Sequence, residues 1–483
     1  MSQVIGRART LAFVAIAALV PLAAEVSAQD SETDIRSAIE TERQLLEEQK
    51  RRLESQYAEY EAQQRRLDEL EARLEDEPAS EVESADNEPD PDIEPERIET
   101  GDNQTRDSHE VMTAGDLAAD DFLGSWPMFG SDYRMKIGGY VKLDALYDFD
   151  GTADKYQFLI AQIPVDGSSG AERDGYFNMF ARETRFNFDV RESSDSDIAK
   201  QLFLEMDFFD ESSFSPRLRH AYVVYGNLLF GQTWTTIVDL ASLPFTIDFG
   251  AGDALFGTRT AQVRWQEDWN ETWSWAVGLE NLQSVGIYNP NGLPGEANTK
   301  LPVLAGRITK QTSKGRASLA ALVQELRWDG QGAGPDASAM GWALIYAGRR
   351  NFGNGDFWTW NIAYGDGAPE TIMALTGSDA NAVLEADGSL TTRKGYSVAL
   401  GYGHRWSDSL MSNFAYAYTD LQDLGLGQRA PDAIESGGVG HANLIWQQGK
   451  LSAGTELIWG RRDNVNGRSG GATRVQVMLK YGF

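Results

Sequence analysis

The segment TRVQVMLKYGF, residues 473–483, alternates apolar and polar side chains. Its odd positions carry Thr, Val, Val, Leu, Tyr and Phe, and its even positions carry Arg, Gln, Met, Lys and Gly. Successive side chains of a strand point to opposite faces, so one face is apolar with aromatic residues at its end. That face would pack inward in a soluble protein, whereas in an outer-membrane barrel it contacts lipid. The rest of the chain favours the barrel.

The same alternation recurs from about Met135 onward, in short segments separated by Gly, Asn and Asp. Roughly 350 residues, at about twenty-two per strand and connection, predict about sixteen antiparallel strands, enough to enclose an aqueous channel. A soluble β-sandwich fits less well, because the non-apolar face is rich in Arg, Asp, Glu and Gly, which a packed interior does not tolerate. We therefore predict an all-β transmembrane barrel over residues 122–483.

The segments before the barrel differ in composition from it. Two Arg, an apolar run and small residues at 26–28 predict a secretory signal peptide over residues 1–28. A seven-residue repeat predicts an α-helical coiled coil over residues 29–75, in the periplasm; its a positions are Ile39, Leu46, Leu53, Tyr60, Leu67 and Leu74. The acidic, Pro-punctuated residues 76–121 are expected to be a disordered linker.

The charge and the chemistry-bearing residues exclude several classes of function. Residues 1–131 hold 12 Lys and Arg against 32 Asp and Glu, and residues 132–483 hold 31 against 41. This acidity argues against nucleic acid as a partner. The chain has no Cys, and its 4 His show no ligand spacing. With no nucleophile elbow and no phosphate-binding loop, we expect no enzyme activity, cofactor or metal.

Several segments together resemble one family. They are residues 136–144 (KIGGYVKLD), 217–222 (RLRHAY), 231–234 (GQTW), 364–367 (YGDG) and the end of the chain from Trp446. In order and spacing they resemble the DcaP-like outer-membrane porins. The resemblance implies a homotrimer of sixteen-stranded barrels, with N-terminal helices in the periplasm, that passes small organic acids. The long linker is a departure from that family.

A long connection over residues 239–259 is the candidate constriction loop. It contains Asp239, Pro244, Asp248 and Gly250. A loop that folds into a barrel narrows the pore and sets its selectivity, but an ordinary surface loop has the same composition. The resemblance favours the constriction.

Cations opposite apolar strand positions are predicted to face the pore. They are Lys142, Arg185, Arg217, Arg219, Arg264, Arg405 and Arg474, with Arg259 directly after the loop. Arg binds carboxylates through two parallel hydrogen bonds, so these residues are candidates to bind anionic solutes. Alternatively each cation only pairs with a pore-facing acid such as Asp144, Glu205 or Asp207.

These patterns favour a passive channel for small hydrophilic anions such as dicarboxylates in the Gram-negative outer membrane. One alternative is a neutral-sugar channel, for which Tyr140 and Trp234 are candidate contacts, and another is a tether between outer membrane and cell wall. Expected partners are outer-membrane lipid and lipopolysaccharide, further copies of the chain, organic acids and, through the N-terminal region, peptidoglycan. The aromatic end at Tyr481 and Phe483 resembles the signal read by the barrel-insertion machinery.

Overall fold

A computed structural model describes most of the chain after residue 110. The described residues are 111–113, 116–117, 122–128, 132–168, 170–192, 198–209, 215–250, 257–282, 284–371, 378–422, 430 and 432–483. The predicted signal peptide, the coiled coil and the linker up to residue 110 lie outside them.

Sixteen strands form a barrel within this part of the chain. The first eight are β1 Tyr133–Asp148, β2 in two segments (Tyr176–Phe180 and Arg185–Glu192), β3 Lys200–Asp207, β4 Arg217–Tyr225, β5 Leu228–Trp234, β6 Arg259–Asp268, β7 Trp273–Glu280 and β8 Val303–Thr312. The others are β9 Gly315–Asp329, β10 Ala337–Asn351, β11 Phe357–Asp366, β12 Lys394–Ser407, β13 Leu410–Leu421, β14 Ile434–Gln448, β15 Leu451–Asn464 and β16 Ser469–Gly482.

Neighbouring strands pair antiparallel, and the first strand also pairs with the last. In that seam Val141 lies opposite Tyr481, and Lys142 lies opposite Lys480. Each described barrel strand therefore has two hydrogen-bonded neighbours. A closed sheet satisfies its backbone internally, which is the condition for β-structure to cross a bilayer.

The side chains of β16 show the two faces of the wall. Val477, Leu479 and Tyr481 are 50, 50 and 54% exposed, whereas Arg474 and Gln476 are 0 and 1% exposed. The outward face is thus apolar and the inward face polar, the reverse of a soluble protein and the arrangement expected in lipid. The predicted sixteen-stranded transmembrane barrel is confirmed, and the coiled coil stays a prediction.

The connections differ in length at the two ends of the barrel. At one end they are as short as 226–227, 313–314, 408–409 and 449–450, and at the other they include 149–175, 281–302 and 367–393. We call these the short-turn end and the long-loop end. In outer-membrane barrels the short turns face the periplasm.

Smaller secondary-structure elements lie at both ends of the barrel. At the long-loop end, a three-stranded sheet of Ile287–Tyr288, Ala382–Leu384 and Leu390–Thr392 joins two connections. Glu296–Asn298 pairs with β9 and Trp126–Pro127 with β1. Short 3₁₀ turns span Ile160–Gln162, Leu240–Ser242 and Pro369–Thr371. No helix in the described residues is long and apolar enough to cross a membrane.

Candidate pore constriction

Residues 235–250 and 257–258, the described part of the connection between β5 and β6, form an inward loop that lies against the inner wall of the barrel. Near its start, Arg307 on β8 donates a hydrogen bond to the Val238 carbonyl. Asp239 forms an ion pair with Arg316 on β9 at 3.2 Å. The loop therefore turns into the barrel directly after β5.

The inward loop continues along the wall to the other side of the barrel. Glu456 on β15 accepts hydrogen bonds from the backbone N–H groups of Ile247 and Asp248, both at 2.9 Å. Lys142 Nζ on β1 donates to the Ile247 carbonyl at 2.8 Å, and Asn443 Nδ2 on β14 donates to the Phe245 carbonyl at 2.8 Å. Its described part thus follows the inner wall from β8 to β1.

The other three loop residues singled out from the sequence are also inside the barrel. Pro244 lies against β12, where a Cβ on Gly401 would come within 2.8 Å of the Pro244 Cβ, so glycine allows the close approach. The two carboxylate oxygens of Asp248 accept from the N–H groups of Phe158, at 3.0 Å, and Gly250, at 2.8 Å. Asp248 therefore joins the inward loop to the connection 149–175.

Four predicted cations are charge-compensated on the wall of β1–β4. Asp207 accepts hydrogen bonds from Nε and Nη2 of Arg217 at 2.9 and 2.7 Å, and from Nη1 of Arg219 at 2.7 Å. Arg219 Nε also donates to Glu205 at 2.7 Å. Together with their neighbours these groups form an ionic belt of four cations and four carboxylates: Lys142, Arg185, Arg217, Arg219, Asp144, Glu183, Glu205 and Asp207. The ionic belt carries no net charge.

Of the remaining predicted cations, Arg259 lies beside the ionic belt, within electrostatic range of Arg185, Arg217 and Arg219, and the other three lie elsewhere on the inner wall. Arg474 is fully buried and pairs with Asp148 at 2.9 Å, so it is structural. Arg264 donates to the Gln262 side chain at 2.7 and 3.0 Å. The Arg259 guanidinium lies 4.7 Å from the Trp234 ring centroid. Arg405 lies beside the turn at the short-turn end and forms no ion pair among the described residues; its backbone N–H donates to Asp356 at 3.0 Å.

The structure adds Arg349 on β10, which the sequence analysis did not single out. Its guanidinium lies 3.8 Å from the ring centroid of Phe357 and 5.2 Å from that of Phe245 in the inward loop. Its Nε donates to Asn351 at 2.8 Å, and no carboxylate in the described part of the chain pairs with it. The alternation of side chains along β10 could have identified it from the sequence. Leu344 faces outward, and a residue five positions further along a strand faces the opposite side.

A closed barrel with an apolar outside, a charged inside and a loop folded into its interior defines a transmembrane channel of the porin type. The family model described as DcaP outer membrane protein matches residues 120–483, and the chain belongs to this family. The predicted family is therefore confirmed, and it is one of channels in the Gram-negative outer membrane.

One solved structure supports this fold. The outer membrane channel DcaP of Acinetobacter baumannii aligns with a TM-score of 0.63 at 23% identity, over 75% of this chain and 100% of that chain. The anion-selective porin from Comamonas acidovorans aligns with a TM-score of 0.48 at 12% identity, over 73% of this chain and 100% of that chain. No curated protein matches the sequence significantly.

Proposed function

We propose that the barrel is a passive diffusion channel that prefers small anions, dicarboxylates in particular. The observation that carries the proposal is Arg349. This inward-facing cation is flanked by two aromatic rings and has no described carboxylate partner. A guanidinium in that position can exchange water for the carboxylate of a passing solute, and such charged hydrogen bonds contribute ~1.5–3 kcal/mol each before desolvation.

The distribution of charge supports the anion preference. The barrel residues hold an excess of acids, but selectivity depends on local charge where the pore is narrow. The ionic belt on β1–β4 is neutral, whereas Arg349 and Arg405 are both inward-facing and lack a described ion-pair partner. We therefore propose that Arg349 and Arg405 are the cations that passing solutes meet, with Arg259 and Arg264 on β6 as further cations of the inner wall.

The test compares Arg349→Ala with Arg350→Ala. Arg350 is the matched control, because it is adjacent in sequence and exposed on the outward face. We expect the Ala variant at 349 to weaken succinate block of ionic current about tenfold, the equivalent of ~1.4 kcal/mol. Its reversal potential in a salt gradient should also shift toward cations.

Two outcomes would contradict the proposal. One is a wild-type channel that is already cation-selective and unresponsive to succinate. The other is equal succinate block in the two variants. Block by neutral sugars in place of carboxylates would support the sugar channel instead.

The assembly is part of the same proposal. We propose that three copies associate through residues 29–75 in the periplasm, and that the outward face contacts phospholipid and lipopolysaccharide. In this assembly the linker spaces the helices from the barrel and allows the N-terminal region to reach peptidoglycan. Tyr481 and Phe483, at the seam between β16 and β1, are the proposed assembly signal; Phe483 donates its N–H to the Gly139 carbonyl at 3.1 Å.

A further inference from the structure

An apolar patch lies on the inner wall near the short-turn end. Its members are Phe203 on β3, Tyr222 and Val224 on β4, and Leu229 on β5, each no more than 3% exposed. The inner wall of a water-filled barrel is normally polar, so four buried large side chains there need a cover.

The cover is a part of the chain that precedes the barrel. Val111, Met112 and Leu117 pack against the patch. They fall at the end of the acidic range for which the sequence predicts a disordered linker, and their apolar side chains explain why this part is docked. We call residues 111–113 and 116–117 the mouth strap.

Polar contacts fix the position of the mouth strap. Gln266 Nε2 on β6 donates to the Met112 carbonyl at 2.6 Å. Thr113 Oγ1 donates to Asp268 Oδ2, also on β6, at 2.8 Å. The Thr113 N–H donates to the Asp116 carboxylate at 3.0 Å and the Asp116 N–H to Thr113 Oγ1 at 3.1 Å, the reciprocal pattern of a helix-capping box. Thr113 and Asp116 therefore satisfy each other's backbone N–H groups while Thr113 also contacts β6.

A cation on β2 holds the opposite side of the mouth strap. Arg191 lies 3.4 Å from the Met112 sulfur, and its guanidinium lies 4.1 Å from the ring centroid of Phe122, further along the chain. Asp189 orients this guanidinium through an ion pair at 2.7 Å. With these contacts the mouth strap spans the inner wall from β2 to β6.

We propose that the mouth strap is a built-in partial plug, and that the apolar patch is its docking site. It lies inside the barrel on five adjacent strands, so it reduces the open cross-section at the short-turn end. It also places the Asp116 carboxylate in the mouth. The proposal does not depend on which solutes the channel prefers.

The first test measures single-channel conductance of the full chain. The double substitution Met112→Asp and Leu117→Asp puts two carboxylates against the apolar patch and should release the mouth strap. We expect a higher conductance than wild type. Leu123→Asp is the matched control, since Leu123 is 77% exposed in the same pre-barrel segment, and it should leave conductance unchanged.

The second test uses the absence of Cys from the chain. The variant carries Thr113→Cys and Asp268→Cys, and a short thiol-reactive cross-linker should join the two positions. The cross-link should keep conductance at the wild-type value even when Met112 and Leu117 are both replaced by Asp. Failure to cross-link in barrels that remain heat-modifiable would overturn the docking. If cross-linking is efficient but the Met112→Asp and Leu117→Asp channel has the same conductance with and without the cross-link, the mouth strap does not act as a plug.

Discussion

Asp207 shows how a single residue controls the charge of the pore wall. Its carboxylate is fully buried and accepts four hydrogen bonds, two from Arg217, one from Arg219 and one from the Phe209 N–H. Two of the arginines that the sequence marks as anion-binding are therefore occupied by an internal acid. Their ability to bind a solute depends on this carboxylate more than on the arginines themselves.

Replacement of Asp207 by Asn should increase anion selectivity, because it removes one negative charge from the ionic belt while it keeps the side-chain shape. A unit charge about 7 Å from an ion in water is worth ~0.6 kcal/mol, with opposite sign for anions and cations, so we expect the anion-to-cation permeability ratio to rise about sevenfold. The reversal potential in a salt gradient measures it. Asp463→Asn, in an exposed pair with Arg461, is the control; equal shifts in both variants would contradict the assignment.

The inward loop is the element that we propose forms the constriction. Glu456 on β15 is 1% exposed and accepts hydrogen bonds from two loop N–H groups and from Asn443 Nδ2 at 2.8 Å. This carboxylate lies in the opposite half of the barrel from β5 and β6, where the loop is attached. It is thus a remote anchor of the loop, together with the hydrogen bonds from Lys142 and Asn443.

Glu456→Gln should loosen the inward loop, since an amide presents only one acceptor oxygen and loses charged bonds of ~1.5–3 kcal/mol each. We expect larger fluctuations of the open-channel current and a broader distribution of conductance. Glu325→Gln provides the matched control, because Glu325 also accepts two loop N–H groups, from Lys300 at 2.7 Å and Leu301 at 3.2 Å, outside the lumen. An equal rise of current noise in the two variants would contradict the role of Glu456 as an anchor of the inward loop.

The barrel closes through pairing between β1 and β16, so its described strands are hydrogen-bonded around the full circumference. Every strand pair that closes it lies within residues 133–482. We therefore expect the barrel to fold without pairing to residues 29–75, and we expect the predicted coiled coil to act on assembly.

The full chain should migrate as a heat-modifiable trimer in electrophoresis, and a chain without residues 29–75 should still form a heat-modifiable barrel. The physical reason is that barrel closure is internal to the later part of the chain. Replacing Leu46 and Leu53 by Asp, which keeps the chain length, should have the same effect as the deletion. Loss of the heat-modifiable form in either variant would show that the two regions do not fold independently.

The sequence by itself predicted the barrel, a strand number of about sixteen and the family. Alternation with a period of two is a local property of each segment, as at residues 473–483, and it fixes which face meets lipid whatever the partner strand is. The same parity correctly places Arg185, Arg219 and Arg264 on the inner wall.

Only the tertiary structure decided which of those cations are neutralised, where the inward loop is anchored and what fills the short-turn mouth. Arg474 meets Asp148 across 326 positions, and Ile247 meets Glu456 across 209. Such pairs depend on barrel closure and on the course of a loop through its interior. Charge compensation and burial are properties of contacts between distant segments, which no local periodicity encodes.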